Sequence, residues 1–252
     1  MVNQRELASR IEQSNYNAAK RFMEERNINL QQTFQENNNT FLHIIVAHKR
    51  GSSFNRDRKA NADPEDFLRF FLTKSTQATN NPSFINTQTR SSLNTALHLA
   101  ARDNSSGCIS VLIEYGADIN VTNKDGYNAL HMAASKGNNE CVSVLLKNGA
   151  LPNQITSGNL KTTALHLAVG YEQVKDTKAL KARIEGHTKC VKILLGEGAC
   201  IDKQDSNGWT PLHVAAEKNN EECVKVLLGE GACIDKQDSN GWTPLHVAAE
   251  KN

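Results

Sequence analysis

The chain has 252 residues, 22% of them charged and 38% hydrophobic, with a formal net charge of +2. That near balance excludes an overall electrostatic footprint for nucleic acid or an anionic membrane, so any charge argument must be local. No run approaches the roughly 20 apolar residues of a membrane span, and Met1-Val2-Asn3-Gln4-Arg5-Glu6 lacks the apolar core of a signal peptide, which predicts a cytosolic protein.

Residues 1–36 are expected to form an N-terminal cap. Leu7, Ala8 and Ile11 mark one short helix, and Ala18, Ala19, Phe22 and Met23 mark a second at i, i+3, i+4 spacing. Ile28-Asn29 then matches Ile119-Asn120, a strand-like turn after an outer helix. Residues 37–85 read as a degenerate first unit. Its inner helix runs through Ile44, Ile45, Val46 and Ala47, and its outer helix through Phe67, Leu68, Phe70, Phe71 and Leu72. Asp63-Pro64-Glu65-Asp66 opens the outer helix, with proline where its missing N–H costs nothing. A 14-residue insertion separates the two helices. All eight phenylalanines fall between Phe22 and Phe84 and are expected to fill gaps in the core.

Beyond residue 86 the pattern becomes regular. Leu194–Asn219 returns, residue for residue, as Leu227–Asn252, an offset of 33 residues. The block carries Thr210-Pro211-Leu212-His213-Val214-Ala215, repeated as Thr243-Pro244-Leu245-His246-Val247-Ala248. Weaker copies stand at Thr163-Ala164-Leu165-His166, Asn128-Ala129-Leu130-His131, Thr95-Ala96-Leu97-His98 and Thr40-Phe41-Leu42-His43, making six units. The His-to-His spacings are 55, 33, 35, 47 and 33. This period and motif resemble the ankyrin-repeat family. The resemblance implies one elongated all-α solenoid of helix-turn-helix units joined by β-hairpin-like loops, with an incomplete last repeat.

The individual residues fit that expectation. Thr210 should cap an inner helix whose first turn holds Pro211, and Ala215 and Ala216 let neighbouring inner helices approach. Gly198 and Gly231 suit the left-handed turn that ends an outer helix, while Leu194, Leu195, Leu227 and Leu228 supply apolar faces between units. Leu93 and Lys161 stand where other copies carry Gly126, Gly208 and Gly241, and the hairpin before His166 has two extra residues. Those two hairpins should be looser or differently shaped. A second insertion, of 14 residues relative to the period and lying within 171–186, places Leu180 and Ile184 on one helical face. It predicts extended helices meeting in a finger that projects beyond the stack.

Six of eight histidines, His43, His98, His131, His166, His213 and His246, share one motif position and form a ladder, not a converging cluster. No phosphate-cradling loop, nucleophile elbow or carboxylate pair stands out, so no enzyme activity, catalytic residue, metal or cofactor is expected. Cys108, Cys141, Cys190 and Cys223 lie ten residues past the motif His once insertions are removed, and Cys200 and Cys233 lie 33 apart. Equivalent positions sit roughly 8–10 Å apart, too far for disulfides, so all six read as small buried hydrophobes in a reducing compartment.

The resemblance implies a protein-binding scaffold or adaptor that uses hairpin tips and the exposed inner-helix face. Those positions here are Lys124, Asp125 and Tyr127; Ser206, Asn207 and Trp209; Ser239, Asn240 and Trp242; and, on inner helices, Arg102, Asp103, Ser135, Lys136, Glu217 and Lys218. Tyr127, Trp209 and Trp242 are the expected anchors, since binding hot spots favour Trp and Tyr. The competing reading is that their rings lie across the next hairpin and merely cover it. If they are anchors, replacing all three by Ala should weaken binding without lowering stability. Lys49, Arg50, Arg56, Arg58 and Lys59 in one insertion, and Lys175, Lys178, Lys181, Arg183 and Lys189 in the other, offer a second surface for an acidic partner or phosphoinositide. The opposing reading is solvated charge. Ending after an inner helix exposes apolar surface and allows self-association. It equally suits the arm of a longer enzyme or channel with its active domain beyond residue 252. A secreted bacterial effector acting in a host cytosol fits the Asn-rich first units. Asn120 resembles the asparagine that oxygenases hydroxylate in this family, or is simply a turn former.

Overall fold

The computed structural model describes residues 2–12, 16–26, 41–47, 63–78, 82–170 and 177–250. The chain falls into two compact units, Met1–Lys124 and Asp125–Asn252. Both are built from pairs of short helices.

In the first unit, α1 (Val2–Glu12) and α2 (Tyr16–Arg26) pack together and bury Leu7, Ala8, Ile11, Ala19, Phe22 and Met23. An inner helix α3 (Phe41–Ala47) and an outer helix α4 (Pro64–Ala78) follow, then α5 (Ala96–Arg102) and α6 (Ser106–Glu114). Phe41, Phe67, Phe71 and Phe84 are buried, while Phe70 is half-buried beneath the Lys20 ammonium, 4.7 Å from its ring centre. The turn at Ile28-Asn29 and the first basic insertion, with Lys49, Arg50, Arg56, Arg58 and Lys59, lie outside the described residues.

The second unit has inner helices α7 (Ala129–Lys136), α9 (Ala164–Val169), α11 (Pro211–Glu217) and α13 (Pro244–Glu250), each packed on the next. Outer helices α8 (Asn139–Lys147), α10 (Thr177–Gly196) and α12 (Glu221–Gly229) form a second layer. The motif sets each inner helix in the same way. Thr210 caps α11 by accepting the His213 N–H, Pro211 occupies the first turn, and His213 Nδ1 receives the Thr210 N–H at 3.2 Å. Because Nδ1 accepts, the ring proton sits on Nε2 and is donated to a backbone carbonyl of the next hairpin. His166 reaches Trp209 O at 3.0 Å and His213 reaches Trp242 O at 3.0 Å. The histidines are therefore rungs between repeats.

The described part of the second insertion corrects the sequence expectation. Residues 177–186 continue α10 as a single 20-residue helix, while α9 stops at Val169, so only the outer helix is lengthened. Lys181, Arg183 and Lys189 are exposed along it; Lys175 lies outside the described residues. Gly186 allows the approach, since a Cβ there would lie 2.6 Å from the Gly137 carbonyl oxygen.

The cysteines divide. Cys108, Cys141, Cys190 and Cys223 are buried free thiols, and burial pushes Cys190 up to about 12 and Cys223 to about 11. Cys200 and Cys233 are exposed free thiols, contrary to the reading of all six as core. They sit in the turn that leaves an outer helix, where the backbone N–H, not the side chain, faces the preceding repeat.

Candidate protein-interaction surface

The hairpins that join the repeats are tight turns; the one β-bridge among the described residues pairs Ile155 with Thr163. In the regular hairpin, Gly208 N–H closes on Asp205 O at 3.1 Å and Asp205 N–H on Trp209 O at 2.9 Å. Asp205 Oδ1 also accepts the Asn207 and Trp209 amides at 2.8 and 2.9 Å, so one carboxylate organises the whole turn. Gly208 has φ +79°, and a Cβ there would stand 2.7 Å from Ser239 N. Both conformation and close approach require glycine.

Leu93 and Lys161 hold the same left-handed geometry, at φ 53° and 48°, without being glycine. Their hairpins are longer. Thr89 N–H closes on Asn94 O, five residues on, and Thr156 N–H on Thr162 O, six residues on, against four in the regular turn. The strain persists because packing on neighbouring hairpins fixes the backbone.

The hairpins are linked in a ladder. In the first unit, Lys124 N–H donates to Ser92 O at 3.1 Å. Gln88 Nε2 bridges Leu93 O and Thr122 O at 2.7 and 2.9 Å. In the second unit, Ser157 N–H reaches Gly126 O at 3.2 Å, Ser206 N–H reaches Leu160 O at 2.9 Å, and Ser239 N–H reaches Asn207 O at 3.0 Å. The Ser206 and Ser239 hydroxyls add bonds to Asn159 O and Asn207 O, both at 2.7 Å. Gln204 Nε2 bridges Gly208 O and Gln237 O at 2.7 and 2.9 Å.

The proposed contact residues fall unevenly on this framework. In the first unit, Arg102 ends α5 and forms a two-pronged ion pair with Asp103 at 2.8 Å, and the Lys124 side chain is exposed. In the second unit, Asp125 and Lys136 are exposed, Ser135 turns its hydroxyl back to Met132 O at 3.0 Å, and half-buried Glu217 and Lys218 pair at 3.2 Å. Ser206, Asn207, Ser239 and Asn240 are exposed at the hairpin tips, although both serines and the Asn207 carbonyl already bind within the ladder.

The three aromatics each lie beside the motif His of their own repeat, with ring centres 6.1 Å apart for Tyr127, 6.2 Å for Trp209 and 6.4 Å for Trp242. Their environments differ. Trp209 is half-buried and its indole N–H donates to Asp238 Oδ2 of the next hairpin at 3.1 Å. Trp242 is 38% exposed, and its indole N–H has no partner among the described residues. Asp238 is thus both the organiser of its own turn and the clamp on Trp209, a role the isolated motif does not announce. The signal was present as an Asp four residues before each Trp.

Sequence reasoning also missed His187. It is fully buried, with Nδ1 2.8 Å from Ala168 O, and burial brings its pKa down to about 4, the Arg183 and Lys136 charges acting in the same direction. It occupies the position that Asn138 and Asn220 hold before other outer helices. Asn120 is exposed at a turn where its N–H reaches Asp118 Oδ1 at 2.8 Å. Among the described residues, no three His, Cys, Asp or Glu side chains are grouped as metal ligands, and no helix is long and apolar enough to cross a membrane.

Comparison with known proteins agrees with this architecture. Residues 59–156, 97–185 and 178–252 each match the model for ankyrin repeats. The potassium channel AKT1 of Oryza sativa subsp. japonica is 36% identical over 123 residues, 49% of this chain and 8% of that protein. A transient receptor potential cation channel subfamily A member 1 homolog of Caenorhabditis elegans is 30% identical over 132 residues, 51% of this chain and 9% of that protein. Protein phosphatase 1 regulatory subunit 27 of Mus musculus is 49% identical over 35 residues, 14% of this chain and 23% of the subunit. The chain spans less than a tenth of the two channels and less than a quarter of the regulatory subunit.

Proposed function

The chain belongs to the ankyrin-repeat family, a class of protein-interaction modules, and from that premise we propose that it is a non-catalytic adaptor whose second unit grips a partner protein along the hairpin edge ending at Trp242. The observation that carries this reading is the ladder itself. Successive hairpins are rigidly joined, so their tips and the inner helices present a preorganised surface, which lowers the ordering cost of binding. Tyr127, Asp125, Lys136, Asn207 and Asn240 are secondary contacts on this surface.

The test is capture of partners from the source cell by the intact chain and by Trp242→Ala, quantified by mass spectrometry beside a melting curve. A bound protein lost in the variant, with melting unchanged, supports the adaptor. A capture pattern indifferent to Trp242 refutes it.

A second reading, an interaction arm serving an activity carried elsewhere, is favoured by relatives that are channels and a phosphatase regulatory subunit. The intact mass of the native protein tests it: a mass near 27.8 kDa sets it aside. For compartment, six free cysteines, two of them exposed, support a reducing one. Lys181, Arg183 and Lys189 on α10 are offered as the acidic-partner or phosphoinositide surface. Charge reversal there should change the salt dependence of binding.

A further inference from the structure

One hairpin of the second unit lacks a tie that its sisters have. In the first unit, Gln88 stands just before the closing residue Thr89. Its Nε2 donates to Leu93 O of its own hairpin at 2.7 Å and to Thr122 O of the next at 2.9 Å. In the second unit, Gln204 stands just before Asp205 and spans Gly208 O and Gln237 O in the same way, at 2.7 and 2.9 Å. The nearer acceptor is in both cases the carbonyl of the left-handed residue, Leu93 or Gly208. The hairpin closed by Thr156 carries Ile155 where the glutamine stands, and its left-handed residue is Lys161.

The register of this joint is otherwise unchanged, and both of its hairpins are described. Ser206 N–H reaches Leu160 O as Ser239 N–H reaches Asn207 O, one residue before the left-handed position each time. The carbonyls that a glutamine would span here are therefore Lys161 O and Gln204 O, and neither receives a hydrogen bond among the described residues. Ile155 is short and apolar and has no side-chain N–H to give. It is 42% exposed, and Leu160 at the tip is 52% exposed. Another hairpin without the glutamine has Thr122 there, but its left-handed carbonyl, Gly126 O, already takes the Ser157 N–H at 3.2 Å.

We infer that this joint binds an extended segment of a partner protein through a glutamine, whose side-chain amide donates to Lys161 O and Gln204 O while apolar side chains two residues to either side cover Ile155 and Leu160. This deepens the adaptor reading and rests on it. A neutral amide fits where a guanidinium or ammonium does not, because the exposed Lys161 and Lys203 side chains flank the two carbonyls and would repel a cation. Asp205, the adjoining acid, is committed to its own turn through the Asn207 and Trp209 amides. The two lysines favour acidic residues beside the glutamine. Alternate side chains of an extended segment share a face, so the recognised pattern is apolar-acid-Gln-acid-apolar.

The occupant comes from another protein and not from a second copy. Leu30-Gln31-Gln32-Thr33-Phe34 is the one place in the sequence where apolar residues stand two before and two after a glutamine, and no acid lies beside that glutamine.

The experiment titrates the full chain, labelled with 15N, with the acetylated and amidated pentapeptide Leu-Glu-Gln-Glu-Leu. The signals to follow are the Thr162 and Asp205 amides, which share peptide groups with the Lys161 and Gln204 carbonyls and respond to a bond made there. Both should shift saturably. The Trp209 and Asp238 amides, which follow the Gly208 and Gln237 carbonyls that Gln204 already holds, should stay in place. Met in place of the peptide's Gln keeps the length without the N–H groups and should weaken binding about tenfold. Ile155→Gln supplies the chain's own bridge and should abolish the response with the rest of its spectrum in place. Absence of saturable shifts, equal binding of the Gln and Met peptides, or undiminished binding to Ile155→Gln overturns the proposal. Shifts of these amides with protein concentration alone overturn it too, because a second copy then fills the joint. Failure of the adaptor reading is read separately, in the capture experiment with no peptide present.

Discussion

Trp209 and Trp242 belong to identical sequences, so the cost of removing each isolates what a neighbouring hairpin contributes. Trp209→Ala removes a half-buried indole and leaves Asp238 Oδ2 without its N–H donor. Full burial of Trp would make the truncation cost about 3–5 kcal/mol, and half-burial scales this to about 2 kcal/mol with the bond included. Trp242→Ala removes an exposed ring with no described bond and should cost less than about 0.5 kcal/mol. For a unit of this size that is a fall of roughly 6–8 °C in melting temperature against less than about 2 °C. Urea and thermal unfolding followed by far-UV circular dichroism measure both. Equal losses would refute the reasoning, and so would absence of coupling in a double-mutant cycle between Trp209→Phe and Asp238→Ala. The expectation that all three aromatics can be removed without lowering stability therefore holds no longer for Trp209.

Leu212→Ala should cost about 2–5 kcal/mol, as for a buried Leu, while Leu245→Ala at 75% exposure should stay within about 0.5 kcal/mol; urea midpoints decide. His187 predicts acid lability. Its folded pKa of about 4 lies below the unfolded value near 6.5, so its contribution is complete above about pH 6.5 and is lost as pH falls toward 4, by about 3 kcal/mol in all. His43 and His166, whose pKa values burial also lowers, act in the same direction. Comparing urea midpoints at pH 7 and 4.5 should show a smaller acid loss in His187→Asn than in the wild type; equal losses count against the assignment.

Much of the local structure was legible because it depends on groups a few residues apart. The Thr210 cap, Pro211 in the first turn and the positive φ of Gly198 and Gly231 all follow from the motif and its period. The fate of the second insertion did not. Gly186 looks like a helix breaker on paper, yet it lies within α10, where lacking a side chain lets the helix meet the Gly137 carbonyl. His187 was equally illegible, because the motif places polar Asn138 and Asn220 at that position and only packing shows a fully buried imidazole there. Leu93 and Lys161 show the converse. A local preference for glycine predicts a changed turn, and the left-handed backbone survives while the turn lengthens.

The candidate surface was half legible for a related reason. Sequence specifies the donors and acceptors a hairpin carries, but not whether its neighbour uses them. Trp209 and Trp242 are indistinguishable in a window of 26 identical residues, and both qualified as anchors. One proves to be clamped by Asp238 and the other to be open. In a repeat protein, interaction between units and interaction with a partner use the same groups, because each repeat is itself the ligand of the one before.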